Sequence, residues 1–238
     1  MRRFALCLAT ILALSGTAPA AEVEDARFDV VLRGIKAGQL VFRGQQTGSS
    51  YQVAGRLQST GLVGRLVTFS YDAQSAGTVR NGRYTPSQYT EQANTGKRQQ
   101  SSVMRYRAGV PQVREITPAR APAPYDLNPA TQGGTVDILT ALYAALRDQN
   151  HGDACALTLN MFDGRRRSLL RVYDPKPQAD GGLICAGEYR RVGGFHPDDM
   201  AERTSFGFQM RLAPAGDMLR VVEITTPTLY GQARMRRR

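Results

Sequence analysis

The sequence predicts a mostly β protein: a single curled antiparallel sheet forming an open barrel or β-spiral, with one buried or plugging helix at about residues 136–146. Three observations predict it. Short runs in which apolar and polar residues alternate recur at regular spacing, each with only one apolar face. The segment 136–146 is instead apolar over much of a helix's girth, through Val136, Ile138, Leu139, Leu142, Tyr143 and Leu146. The composition contains no Trp and 24 Gly, which suits a sheet with many turns better than a helical bundle.

The first elements read as strand, turn, strand: residues 28–32, a short connector from Gly34 to Gly38, and residues 40–42. Glycines at both ends of the connector suit a tight turn with positive φ. A third strand follows at 51–58, where Tyr51, Val53 and Leu57 alternate with polar neighbours, and a fourth at 67–73. Between them Leu62, Val63 and Leu66 form a bend under the barrel wall or a short buried turn. Strands at 82–92 and 98–106 come next, and Pro86 marks a strand start or an edge because it cannot donate to a ladder. Four prolines break the pattern over residues 118–129, which reads as an extended loop. Asn128-Pro129 is suited to opening a helical turn. Thr135 is suited to capping the helix proper, with Asp137 favourable in its first turn and Arg147 in its last.

After the helix, Asp163-Gly164 between β-prone runs predicts a two-residue hairpin, since Gly tolerates the positive φ of the primed turns. By the period-two rule Cys155, Leu157, Leu159 and Met161 share one face, and Leu183, Cys185 and Tyr189 share another. Both sulfurs therefore point with the apolar side chains, and a Cys155–Cys185 disulfide is expected, the alternative being two buried free thiols. Closing that loop stabilises a fold by roughly 3 to 4 kcal/mol on the chain-entropy reading. Strands at 204–212, 218–225 and 229–235 complete a count of about a dozen. The turn at 213–217 divides the first two, and Thr226-Pro227 interrupts the second pair.

These residues also carry a resemblance. The Gly34-x-x-Ala37-Gly38 connector, Tyr84-x-Pro86, the helix after the proline loop and Asp163-Gly164 are similar to the exported family catalogued as domain of unknown function 3108. So is Cys185-x-Gly187-x-Tyr189 running into Gly193-Gly194-Phe195. The likeness covers nearly all of the chain after the leader. It implies an open β-barrel or β-spiral with one disulfide, a pattern shared with a second exported family linked to cell-envelope integrity. It supplies no active-site residue.

The ends of the sequence bear on compartment. Arg2 and Arg3, the apolar run from Phe4 to Leu14 and Ala18-Pro19-Ala20 read as a cleaved signal peptide over residues 1–20. The apolar run is too short to span a bilayer, and no later segment competes, so no transmembrane segment is expected in the mature chain. Residues 21–233 then form one domain, and 234–238 a basic tail. The expected compartment is the periplasm, which accords with pairing of the two cysteines that survive export. Of the net charge of +11, two units belong to Arg2 and Arg3 and four to Arg234, Arg236, Arg237 and Arg238. Outside the cytosol such a protein meets lipid headgroups and acidic polymers, and it lacks the stacked aromatics of nucleic-acid binders, so no nucleic-acid partner is expected. Lipid, lipopolysaccharide or an envelope protein are the expected partners.

Candidate sites are few. With only His151 and His196 in the chain, a three-histidine metal site is impossible, and no metal or cofactor is expected. His196, followed by Asp198 and Asp199, is the one place where carboxylates can orient an imidazole. The alternative for that stretch is a turn leading into a short helix. Arg165, Arg166 and Arg167 after the hairpin read either as a solvated sheet edge or as a contact for phosphate or acidic glycan, as do Arg236, Arg237 and Arg238. The leading function is therefore a non-enzymatic envelope protein that binds an apolar or amphipathic component or a protein partner. A hydrolase or transferase acting on an envelope polymer through His196, and a purely structural interaction module, are the alternatives.

Overall fold

The computed structural model describes residues 22–228 and 231–238; the expected signal peptide lies outside the described residues. The chain forms β1 (Glu22–Leu32), β2 (Ile35–Thr47), β3 (Ser50–Ser59), α1 (Gly61–Leu66), β4 (Ser70–Arg80), β5 (Arg83–Asn94), β6 (Gln99–Arg107) and β7 (Val110–Thr117). A 3-10 turn (Pro129–Thr131) and α2 (Ile138–Leu146) follow. The second half contains β8 (Leu157–Phe162), β9 (Arg167–Pro177), β10 (Leu183–Gly193), α3 (Pro197–Glu202), β11 (Ser205–Ala215), β12 (Met218–Thr228) and β13 (Gly231–Arg237). All thirteen strands belong to one sheet in the order β7-β6-β5-β4-β3-β2-β1-β13-β12-β11-β10-β9-β8. Two antiparallel meanders are thus joined where the first strand meets the last, with Phe28 opposite Arg237 and Leu32 opposite Ala233.

The edges β7 and β8 do not pair with each other among the described residues, so the barrel is open. The segment between them fills the seam. Leu127 N–H donates to Arg165 O at 2.9 Å, Gly134 N–H to Gly109 O at 3.0 Å, and Val136 exchanges bonds of 2.9 Å with Asn160 and Phe162. The Val136 bonds satisfy groups on the β8 edge that would otherwise invite another strand, and the other two hold the segment to the turns before β7 and after β8.

Helix α2 lies inside the curl, with Leu139, Thr140, Ala141, Tyr143, Ala144, Ala145 and Leu146 all buried. Its Tyr143 packs against Phe42, Tyr51 and Tyr84 at ring separations of 6.0 to 6.3 Å. The approach depends on Gly44 of β2, where an added Cβ would sit 2.1 Å from the Tyr143 ring. At the C-terminal side of the helix, Gln149 and Leu219 exchange two backbone bonds of 2.8 Å. The Cys155–Cys185 disulfide, Cα–Cα 5.6 Å, ties the chain after the helix to β10.

Several expectations need correction. The residues expected as a basic tail form most of β13 and pair with both β1 and β12. Asp137, not Thr135, caps α2, its carboxylate accepting from Thr140 N–H at 2.8 Å, while the Thr135 hydroxyl donates to Gln132 O. Val136 lies outside the helix, in a bridge to Met161. The Asp163-Gly164 hairpin is wider than two residues, because Phe162 pairs with Arg167 and Asp163 Oδ1 accepts from both Arg165 and Arg166 N–H. Cys155 sits ahead of β8 at φ 61°, not on the strand. The connector after β1 shrinks to Arg33-Gly34, and β12 continues through Pro227. Leu62 and Leu66 are exposed on α1 rather than buried.

Candidate functional site

Because every neighbouring pair is antiparallel, connections alternate between the two ends of the barrel. The end that carries α1 and α3 also carries the connection from β8 to β9. Here β10, β11 and β12 turn aromatic and aliphatic side chains inward at alternate positions. Deeper in the barrel the same faces present Cys185, Met210, Leu212 and Val221, which are packed shut. Toward the rim the wall is Tyr189, Phe206, Phe208 and Ile224, and it lines an open-sided chamber of about 540 Å³. That volume lies in the range of small-ligand pockets, roughly 300–1,000 Å³.

Local geometry keeps the chamber open on one side and aromatic on the other. Gly187 stands opposite Phe208 in the ladder, and an added Cβ there would meet the Phe208 ring at 2.0 Å. The ring therefore lies flat across the strand. Tyr189 pairs with Phe206, ring centroids 5.9 Å apart, and shares its hydroxyl with Ser168 at 2.8 Å. Tyr189 also lines a second cavity of about 260 Å³, bounded by Ala141 and Leu142 of α2 and by Leu170 and Phe195.

The rim is cationic. Arg191 donates to Arg203 O at 2.9 Å and to Asp199 O at 2.5 Å, and its guanidinium lies 5.1 Å from the Phe206 ring. Arg203 lies 4.8 Å from the same ring, donates through Nε to Ser205 O, and among the described residues has no carboxylate within ion-pair distance. Glu202 also stands at the rim. Helix α3 supplies this arrangement, since it returns the chain over the strand ends and fixes Arg191 by its carbonyls.

A polar cluster occupies the barrel between α2 and β4. The Asp137 carboxylate, fully buried, accepts from Thr140 N–H, from Thr140 Oγ1 at 2.7 Å and from Ser75 Oγ at 2.8 Å. Tyr51 OH meets Thr140 Oγ1 at 2.8 Å. Burial pushes the Asp137 carboxyl up to about 6, although these hydrogen bonds draw it back toward its ordinary value.

The residues singled out from sequence fall elsewhere. His196 caps α3, its Nδ1 accepting from Asp198 N–H at 3.3 Å, and its ring stands edge-on to Tyr125 at 5.5 Å. The Asp198 carboxylate lies 3.4 Å from His196 Nδ1 but is 93% exposed, and Asp199 pairs loosely with Arg191 at 3.9 Å, so His196 and Asp198 meet on an exposed turn and not in a cleft. Arg166 pairs with Asp163 at 2.7 Å and lies 5.3 Å from the Phe195 ring, Arg165 belongs to the turn, and Arg167 begins β9. Arg236 pairs with Glu223, Arg237 with Glu24 and Asp148, and Arg238 with Asp29, so all three bind the protein's own carboxylates. The chamber residues were passed over because Phe206 and Phe208 follow the same alternation as the core positions Met210 and Leu212.

An incompletely closed antiparallel β-barrel, threaded by one helix and holding an aromatic chamber at one end, is the class these features define. The chain belongs to the family described as protein of unknown function (DUF3108), which matches residues 27–177. The match runs from β1 to the end of β9, so the chamber strands β10 to β12 follow it. No curated protein matches the chain. A solved structure, the β-barrel-like protein of domain of unknown function DUF1849 from Brucella abortus, aligns at 10% identity over 90% of this chain and 94% of that one. Its TM-score is 0.49.

Proposed function

We propose that this is a non-enzymatic protein of the periplasm whose chamber holds the apolar part of an anionic amphipathic molecule. The observation that carries the reading is the chamber itself: Tyr189, Phe206, Phe208 and Ile224 bound an apolar space, and at its rim stands the Arg203 guanidinium, which donates through Nε to Ser205 O but has no carboxylate partner among the described residues. An acyl chain gains by leaving water for such a wall, at about 25 cal/mol per Å² of apolar surface. A carboxylate or phosphate gains from Arg203, which offers a fork of donors. The leader-like sequence over residues 1–20 and the disulfide support an oxidising compartment outside the cytosol. The ligand class fits an envelope role, because such molecules are components of membranes.

Native mass spectrometry of the protein purified from the periplasm tests this reading, beside an Ile224→Trp variant that fills the chamber. The expected result is an acyl-bearing anion retained at one per chain by the wild type and lost from the variant. A wild-type protein that arrives empty and takes up neither added long-chain fatty acid nor phospholipid would rule the reading out.

A further inference from the structure

The corner formed by α1 is the most conspicuous surface that the chamber reading leaves unused. Leu62, Leu66 and Val67 are 69%, 87% and 54% exposed, and Ile35 beside them is 57% exposed. Helix α1 buries none of its residues, so its leucines do not serve the core. The corner is held in place from below: Thr60 N–H donates to Ala37 O at 3.1 Å, and Ser59 Oγ donates to Val67 O at 2.7 Å. The turn from β5 to β6 packs against it, with Gly96 so close to Thr68 that an added Cβ would lie 3.2 Å away. That turn, in contact with the corner through Gly96 and Thr68, carries Lys97 and Arg98, and α1 itself carries Arg65. These three cations are exposed and make no ion pair among the described residues, and neither residues 59–71 nor residues 95–99 contain an acidic side chain.

We infer that this corner is a membrane-docking site for an anionic lipid surface. A rigidly held apolar tip ringed by cations, with no acid among them, matches a bilayer whose headgroups are negative. The leucines reach the acyl boundary and the cations remain at headgroup level. The corner lies at the same end of the barrel as the chamber rim, since the connection from β3 to β4 and the connection from β10 to β11 share that end. Docking there turns the chamber toward the lipid. The inference stands on α1 and its neighbours and does not require the chamber to be occupied.

Vesicle co-sedimentation with the intact protein tests it, using phosphatidylcholine alone and phosphatidylcholine mixed with phosphatidylglycerol. The wild type is expected to bind the anionic vesicles at least about tenfold more tightly than the neutral ones. The pair Leu62→Ser and Leu66→Ser is expected to weaken that binding at least about tenfold with an unchanged melting curve. The triple change of Arg65, Lys97 and Arg98 to Ser is expected to abolish the preference for anionic lipid. Ile224→Trp is expected to bind vesicles like the wild type, which separates this inference from the chamber reading. Absence of binding to anionic vesicles, or binding unmoved by the leucine pair, overturns it. Loss of a dimer on leucine substitution, with vesicle binding unmoved, would overturn it in favour of a second copy as the occupant.

Discussion

Arg237 donates to Glu24 at 3.0 Å across 213 residues of sequence, and its Nη1 lies 3.5 Å from Asp148 just beyond α2. The side chain is 8% exposed and its guanidinium lies 5.6 Å from the Phe28 ring. One side chain near the end of the chain thus holds the first strand, the last strand and the end of the internal helix together. Removing it leaves Glu24 buried without its cation. Arg237→Ala is therefore expected to cost about 3–5 kcal/mol in urea denaturation. Arg236→Ala, at a more exposed pair, is expected to cost about 1 kcal/mol or less.

Asp137 predicts an unusual pH dependence. Its folded-state value of about 6 lies above the ordinary 3.8, so the folded protein holds this proton more tightly than the unfolded chain does. The contribution to stability is fully present below about pH 4 and is lost as pH rises through 6. Between pH 4.5 and 8 the loss is on the order of 2 kcal/mol. Between these pH values the wild type should lose about 2 kcal/mol more stability in denaturation curves than Asp137→Asn does.

The disulfide should be structural. Two free thiols are expected only after reduction, by titration of the unfolded protein. Replacing both Cys155 and Cys185 with Ala is expected to cost about 2–5 kcal/mol.

Gly44 should tolerate no side chain without disturbing the helix. In Gly44→Ala the new methyl competes with the Tyr143 ring, and overpacking of this kind costs about 1–3 kcal/mol. A lowered melting temperature is the expected readout. Gly34→Ala, where nothing lies within 4 Å of the added Cβ but φ is +80°, is a control for backbone strain alone.

Much of the architecture was legible because it is written in local periodicity. Alternation at Tyr51, Val53 and Leu57 placed β3, and the apolar girth around Leu139 and Leu142 placed α2 inside the sheet. Where local chemistry misled, a distant partner had intervened. The arginines at the end of the chain look like a solvated tail until Glu24, Asp29, Asp148 and Glu223 are brought beside them. Thr135 is a good capping residue, yet Asp137 takes the role because burial leaves its carboxylate only Thr140 and Ser75 as donors. The strand β7 was missed, since Ala108-Gly109 and Pro111 mask a short run whose pairing with β6 decides its state.

By itself the sequence determined a curled antiparallel sheet and one internal helix, since both follow from side-chain period; the pairing of Cys155 with Cys185 was expected from a strand position, whereas the folded chain makes it from a turn ahead of β8 with φ 61° at Cys155. Tertiary structure alone decided that β1 meets β13, that the seam between β7 and β8 is filled by the proline-rich segment, and which inward positions stay open. Met210 and Phe206 obey the same alternation on one strand. Only the folded sheet decides what stands beside each: Cys185 and Ile224 flank Met210 and seal it in the core, while Phe206 lies at the strand ends where the chamber opens.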